Sequence, residues 1–224
     1  MSCCHEVITV GARPSPLSCA QVQELLCALR FHHPCIAFSH LWLQTQGDKD
    51  KSRSLRSMDK SNFFTKEIDE ALLLGLCSIA IHSAKDLPDP IPQGLAVVAI
   101  TKGVDPCDSL VLRCNQGELP SAPLIATSSQ RREECVLKLF PSACFCDVRG
   151  TIEGRLEQLD QGLFDGVVIA EAALIRLRLL HRHRLALTGA TAPLQGRLAI
   201  VAREEDLAMQ QLFSCLDVRG CLEL

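Results

Sequence analysis

No apolar run in this sequence reaches the roughly 18–20 residues that a membrane-spanning helix needs, and no membrane association is expected. The first residues do not combine a charged start, an apolar stretch and a small-residue cleavage site, so they read as carrying no export signal. A basic excess is also missing. Against 23 Lys and Arg stand 26 Asp and Glu, for a formal net charge of −3, which argues against a nucleic-acid partner. The 13 cysteines include no CxxC pair. The closest spacings, Cys3-Cys4 and Cys144-x-Cys146, are not those of a zinc site, and no metal is expected. Free thiols without an export signal fit the reducing cytoplasm, and most read as small buried hydrophobes. Gly11-x-Arg13 falls short of a dinucleotide fingerprint. Internal repeats and low-complexity tracts are absent.

What is present is a globular composition, 47% hydrophobic and 22% charged, in a chain of 224 residues, enough for one large domain or two small ones. Short apolar runs alternate with helical patterns. A strand over 7–11 leads to a helix over 16–30, whose apolar Val22, Leu25, Leu26 and Leu29 fall at helical spacing. Ser15 suits its N-cap and Pro16 its first position. A strand over 36–43 precedes the polar stretch 46–62, QGDKDKSRSLRSMDKSN, too charged to pack and long enough for a mobile loop. Phe64, Ile68, Ala71 and Leu72 mark the next helix, closed by Gly75. Strands follow over 78–82, 95–100 and 109–113. From Leu124 the order is strand, helix from Ser129, strand 144–148, helix 152–161, strand 166–170 and helix. A strand over 197–202 and a helix over 204–216 complete it. This alternation predicts α/β layers with mostly parallel or mixed sheets flanked by helices. Two lobes are expected, the first from 1–100 plus 190–217 and the second from 101–189, with 218–224 a short tail.

Three strand-to-helix turns share one chemistry. GARPSP places Arg13 and Ser15 at a helix start. ATSSQRR places Thr127, Ser128 and Ser129 with Arg131 and Arg132 at another. DVRGTIEGR places Arg149 before a helix and Arg155 in its first turns. Helix N-termini present unpaired N–H groups to anions, and a guanidinium matches a carboxylate with two parallel hydrogen bonds. One such corner reads as a helix cap beside a solvated arginine. Three together point to a ligand with several carboxylates or phosphates. A fourth segment, SIAIHSAKDLPDP, sets Ser83, Lys85 and Asp86 just past a buried strand. Lys85 and Asp86 read either as a surface ion pair or as a site whose carboxylate serves as general acid or counter-charge, and the pattern alone does not choose.

In this order, VGARPSPLSCAQ, GDKDKS, FFTKEIDEALLLGLCSIAIHSAKDLPDPIPQGL, DPCDSLVLR, IATSSQRR and DVRGTIEGRLEQLDQGLFDGVVIAEAALIRL resemble the porphobilinogen deaminase (hydroxymethylbilane synthase) family over about 6–215. The resemblance implies two periplasmic-binding-protein-like (type II) lobes with an active cleft between them. It implies a monomeric cytoplasmic transferase of haem biosynthesis that joins four porphobilinogens into hydroxymethylbilane and releases ammonia; a non-catalytic binder of porphobilinogen or dipyrromethane is the other reading. By the same resemblance Asp86 is the catalytic carboxylate, with Lys85 beside it. Arg13, Arg131, Arg132, Arg149, Arg155 and Arg176 match positions that bind acetate and propionate groups, and Ser15, Ser83, Thr127, Ser128 and Ser129 match positions lining the same cleft. Lys60 and Phe64 match a loop lysine and an aromatic facing the site. The family carries a dipyrromethane cofactor tethered to a cysteine of a third domain. Here the sequence ends at VRGCLEL, so that domain is expected to be absent, and Cys221 is the local candidate for the tether.

Overall fold

The computed structural model describes residues 7–50, 56, 62–113 and 119–221, with the side chain of Cys221 outside the description. Lys60 also lies outside the described residues. The described chain runs β1 (Val7–Ala12), α1 (Pro16–His32), β2 (Ala37–Trp42), α2 (Gln46–Lys49), α3 (Lys66–Leu73), β3 (Ile79–Ser83), β4 (Leu95–Ile100), β5 (Asp108–Leu112), β6 (Leu124–Ala126), α4 (Gln130–Leu137), β7 (Cys144–Cys146), α5 (Ile152–Asp160), β8 (Gly166–Ala170), α6 (Glu171–Arg176), β9 (Arg184–Leu187), β10 (Leu198–Arg203) and α7 (Leu207–Phe213). No helix among the described residues is long and apolar enough to cross a membrane.

The chain divides into two compact units. One comprises 1–49, 60–103 and 197–224, the other 50–59 and 104–196. The first holds a five-stranded sheet in the order β2-β1-β3-β10-β4, the second a five-stranded sheet in the order β7-β6-β8-β5-β9. Each sheet is mixed. β1 pairs in parallel with β2 and β3, whereas β10 is antiparallel to β3 and β4. β6 pairs in parallel with β7 and β8, whereas β5 is antiparallel to β8 and β9.

In the first unit the inner strands β3 and β10 are buried on both faces, as expected of strands covered by helices on each side. Ile8, Val10, Ile79 and Ile81 pack with Val22, Leu25, Leu26 and Leu29 of α1 and Met209 and Phe213 of α7. On the other face Ala80 and Val201 meet Ile68, Ala71 and Leu72 of α3. β3 thus alternates, with Ile79 and Ile81 toward one layer and Ala80 toward the other. Helix α3 ends as expected at Gly75, which takes φ +70°. Its N–H bonds the Leu72 carbonyl and that of Leu76 bonds Ala71, the paired arrangement of a Schellman cap. In the second unit Leu110, Leu112, Ile125, Val168 and Leu187 pack with Cys135 and Val136 of α4.

The units divide after 103 and 196, and 50–59 groups with the second. Segment 190–196 stays with the second unit because Gln195 Nε2 donates to the carbonyls of Pro106 (2.6 Å) and Cys107 (3.2 Å), and Arg176 donates to Gly196 O at 2.9 Å. At the other end, Asp217 accepts from the Ile100 N–H at 3.0 Å and Arg219 donates to the Val97 and Val98 carbonyls. The start of the expected tail thus covers the edge strand β4, a common way of protecting an unpaired sheet edge.

Candidate functional site

The first unit gathers Arg13, Ser15, Phe64, Ser83 and Asp86 around one pocket, together with Leu17, Ser18, Gln21, Thr65, Ile81 and His82. Each arrives from a different element end. Arg13 and Ser15 follow β1, and Ser83 closes β3. Asp86 ends a single 3-10 turn over Ala84–Asp86. Ser15 is the N-cap of α1, its Oγ accepting from the Ser18 N–H at 3.3 Å. That bond uses an acceptor lone pair and leaves the hydroxyl proton to donate.

Arg13 is held rather than loose. Its Nε lies 3.0 and 3.1 Å from the two carboxylate oxygens of Asp48, and its guanidinium carbon sits 4.9 Å from the centre of the Phe64 ring. Asp48 also accepts from the Thr45 N–H (3.0 Å) and hydroxyl (2.9 Å). Burial alone would raise its pKa, but the Arg13 and Thr45 hydrogen bonds outweigh that and hold the carboxyl below its usual range. The GDK run therefore has a local reason. A Cβ on Gly47 would stand 2.3 Å from the Phe64 ring, so glycine lets α2 close on the aromatic while Asp48 clamps the arginine.

Asp86 is exposed and pairs with no described side chain, so its charge is unneutralised at the pocket mouth. Lys85 is half-buried beside it. Behind the pocket His82 Nε2 lies 3.9 Å from Asp69 Oδ1, both side chains less than a tenth exposed. Burial, and then the charge of Arg13, pull the imidazole down to about 4. Burial pushes the Asp69 carboxyl up to about 6.

In the second unit the Thr127–Ser129 turn leads into α4. Thr127 is buried, and its Oγ1 accepts from the Ser129 N–H at 3.3 Å. Ser128 Oγ lies 3.2 Å from both the N and O of Val148, stitching this turn to the chain before Arg149. Ser129 is the α4 N-cap and its hydroxyl makes no capping bond. Arg131 and Arg132 both grip Asp108, at 2.7 Å and 2.6 Å, and Asp108 is almost fully buried. Burial works against ionisation there, but the two guanidiniums win and its pKa is lowered. Arg149 donates to the Asp50 carbonyl at 3.0 Å, and Arg155 folds back onto Gly150 O at 3.0 Å. A further arginine joins this corner from the polar stretch. Arg56 contacts Glu133, donates to Asp147 at 2.6 Å and reaches the Thr127 carbonyl at 3.4 Å. A larger concavity of about 500 Å³, lined by Asp105, Cys107, Ser109, Glu171, His183 and Arg184, lies elsewhere in this unit. Within it Glu171 is paired with Arg184 and accepts from the Ser109 hydroxyl.

Four of these residues carry weight that the sequence reading left out. Gln21 interrupts the apolar stripe of α1, Asp108 opens the fully buried strand β5, and Asp48 and Arg56 lie in the charged stretch. For the first two, a polar group at a core position was the available signal.

The sequence model described as "Porphobilinogen deaminase, dipyromethane cofactor binding domain" matches residues 8–211. The chain belongs to the porphobilinogen deaminase family. Within it, the "probable porphobilinogen deaminase" of Chlamydia pneumoniae is 40% identical over 209 residues, covering 92% of this chain and 88% of that protein. The porphobilinogen deaminase of Streptococcus sanguinis is 36% identical over 220 residues, covering 94% and 72%. Among solved structures, the periplasmic VFT2 domain of Bordetella pertussis BvgS matches with TM-score 0.53 at 11% identity, over 93% of this chain and 86% of that one. A substrate-binding protein of an amino-acid ABC transporter matches with TM-score 0.50 at 10% identity, over 97% and 95%. The fold is that of the type II periplasmic binding proteins. The family is one of transferases in tetrapyrrole biosynthesis that act on porphobilinogen.

Proposed function

We propose that this chain condenses porphobilinogen head to tail into the linear tetrapyrrole hydroxymethylbilane, releasing one ammonia at each step. The observation that carries this reading is the first-unit pocket, where an unpaired Asp86 shares walls with Arg13, Ser15 and Ser83. Each cycle breaks the bond between the aminomethyl carbon and nitrogen, and the ammonia leaves. The methylene carbon, now cationic through its pyrrole, bonds to the free α-carbon of the preceding ring, and that carbon loses its proton; once four rings are joined, one water supplies the terminal hydroxyl, so that four porphobilinogens and one water give hydroxymethylbilane and four ammonia. A fixed negative charge is most effective where positive charge develops and water is scarce. Asp86 supplies it, with Lys85 and Arg13 nearby to hold the acetate and propionate groups of the substrate. Arg131, Arg132, Arg149, Arg155, Arg176, Thr127, Ser128 and Ser129 are proposed as carboxylate-binding groups of the second unit, with Arg131 and Arg132 also anchoring Asp108.

The family model's description names a dipyrromethane cofactor, and the donors here fit a dipyrrole bearing several carboxylates, since guanidinium and hydroxyl groups predominate. Arg13, Ser15 and Ser83 would hold it in the first unit, where it would supply the pyrrole end to which the first porphobilinogen is joined.

Purified protein incubated with porphobilinogen should release ammonia and form a linear tetrapyrrole. Asp86→Asn should lower turnover about 10²–10³-fold, with Asp86→Glu retaining more. Tight calorimetric binding of porphobilinogen without ammonia release would replace this reading with that of a binding protein.

A further inference from the structure

We infer that Gln21 is a positioning residue that fixes the Ser83 hydroxyl as a hydrogen-bond donor aimed into the pocket, and so selects a carboxylate at that point. The inference rests on the reading of the pocket as a carboxylate site and deepens it. Gln21 is buried on the α1 face that meets β3, only 5% exposed, among the apolar side chains that pack the two together. A primary amide at such a position is costly unless bonded. Its Nε2 donates to Ser83 Oγ at 2.8 Å.

The consequence lies on the serine. Ser83 precedes the turn Ala84–Asp86 in cap position, yet its side chain makes no capping bond. A hydroxyl has one proton and two lone pairs. With the amide N–H pointed at the oxygen, the proton turns away from Gln21, and no described residue accepts it. Ser83 is half-buried, so this proton is presented to the pocket rather than lost in bulk water. Ser15 is arranged alike, its Oγ accepting from Ser18 N–H. Two hydroxyls on one wall are thus both turned into donors by N–H groups behind them, next to the Arg13 guanidinium. Such a wall favours an anionic acceptor and disfavours an ammonium group, which Asp86 is left to meet.

The test compares Gln21→Met, which keeps the length but has no donor, with Gln21→Glu, whose ionised carboxylate would take the Ser83 proton and reverse the bond. Affinity for porphobilinogen and for acetate is measured by titration at neutral pH, with chemical shifts of the Ser83 and Gln21 amides as the local report. Gln21→Met should weaken both probes several-fold and Gln21→Glu about 10–100-fold, and in a Ser83→Ala background the three forms should become alike. Equal affinities across the three forms, or differences that survive Ser83→Ala, overturn the inference. If wild-type protein takes acetate in this order but not porphobilinogen, the inference stands and the proposed function falls; if it binds neither, both fall. Should Gln21→Glu fail to fold, Gln21→Met with and without Ser83→Ala carries the same comparison.

Discussion

His82 and Asp69 titrate in opposite senses within one buried contact, and their effects on stability can be separated. Asp69, with its carboxyl pushed up to about 6 from 3.8, keeps its proton in the folded chain where the unfolded chain has lost it. Folding then binds a proton, so this group's contribution falls as pH rises from about 4 to about 6. His82, pulled to about 4 from 6.5, is neutral in the folded chain while the unfolded imidazole is charged. Its contribution rises with pH between about 4 and 6.5. The two slopes oppose each other in the wild type. Melting temperatures from pH 4 to 7 should therefore climb more steeply for Asp69→Asn, and fall for His82→Gln, relative to the parent. Asp108 gives a third expectation at this scale. Its substitution by Ala leaves Arg131 and Arg132 facing each other over an apolar core, and should cost about 3–5 kcal/mol in denaturant unfolding. The stability that Asp108 brings is complete above about 4 and is lost as acid protonates it. A substitution cost under about 1 kcal/mol would mean that the arginines find other partners.

At the scale of elements, the glycines of the first unit set how closely pieces approach the site. A methyl on Gly47 has no room beside Phe64, so Gly47→Ala should displace the ring, loosen Arg13 and weaken porphobilinogen binding without unfolding the sheet. A Cβ on Gly11 would stand 2.8 Å from Cys77 Sγ. Gly11→Ala should cost about 1–3 kcal/mol, and adding Cys77→Ala should recover part of it. No recovery would place the strain on the Ile68 side chain, whose Cγ2 would lie 3.3 Å away, instead. Much of this level was legible beforehand. The stripe of Val22, Leu25, Leu26 and Leu29, Ser15 before Pro16, and Gly75 after α3 all obey local rules that a sequence carries openly. Other parts depend on distant partners. β9 is a four-residue edge strand whose Leu185 and Leu187 gain meaning only against β5, so 184–187 read as connection. The final helix starts at Leu207, not at 204, because Asp206 accepts from the Met209 N–H at 3.1 Å. Likewise, the pairing of Arg131 and Arg132 with Asp108 spans 23 and 24 residues, and no spacing rule announces it.

Over the whole molecule, one strand order is used twice without a repeat in the sequence. In each sheet the first three strands of a βα sequence pair in parallel, and an antiparallel strand drawn from elsewhere in the chain fills the fourth place, β10 in one and β5 in the other. The alternation of apolar runs and helices was enough to predict α/β layers, but the exchange of that fourth strand leaves no mark on local periodicity. Hydrogen exchange should show its consequence. Amides of β3 and β10, whose residues are buried almost throughout, should exchange slowest in the first unit, and those of the edge strand β2 fastest. At this scale the proposed activity is turnover of porphobilinogen, with Asp86 as the carboxylate that serves it. The most direct measurement is ammonia released from porphobilinogen by wild-type protein and by Asp86→Asn, with the pyrrole product followed in parallel. Ammonia and linear tetrapyrrole are expected from the wild type, with a loss of about two to three orders of magnitude in the variant. Equal ammonia release by the two proteins, or none from the wild type, would contradict it.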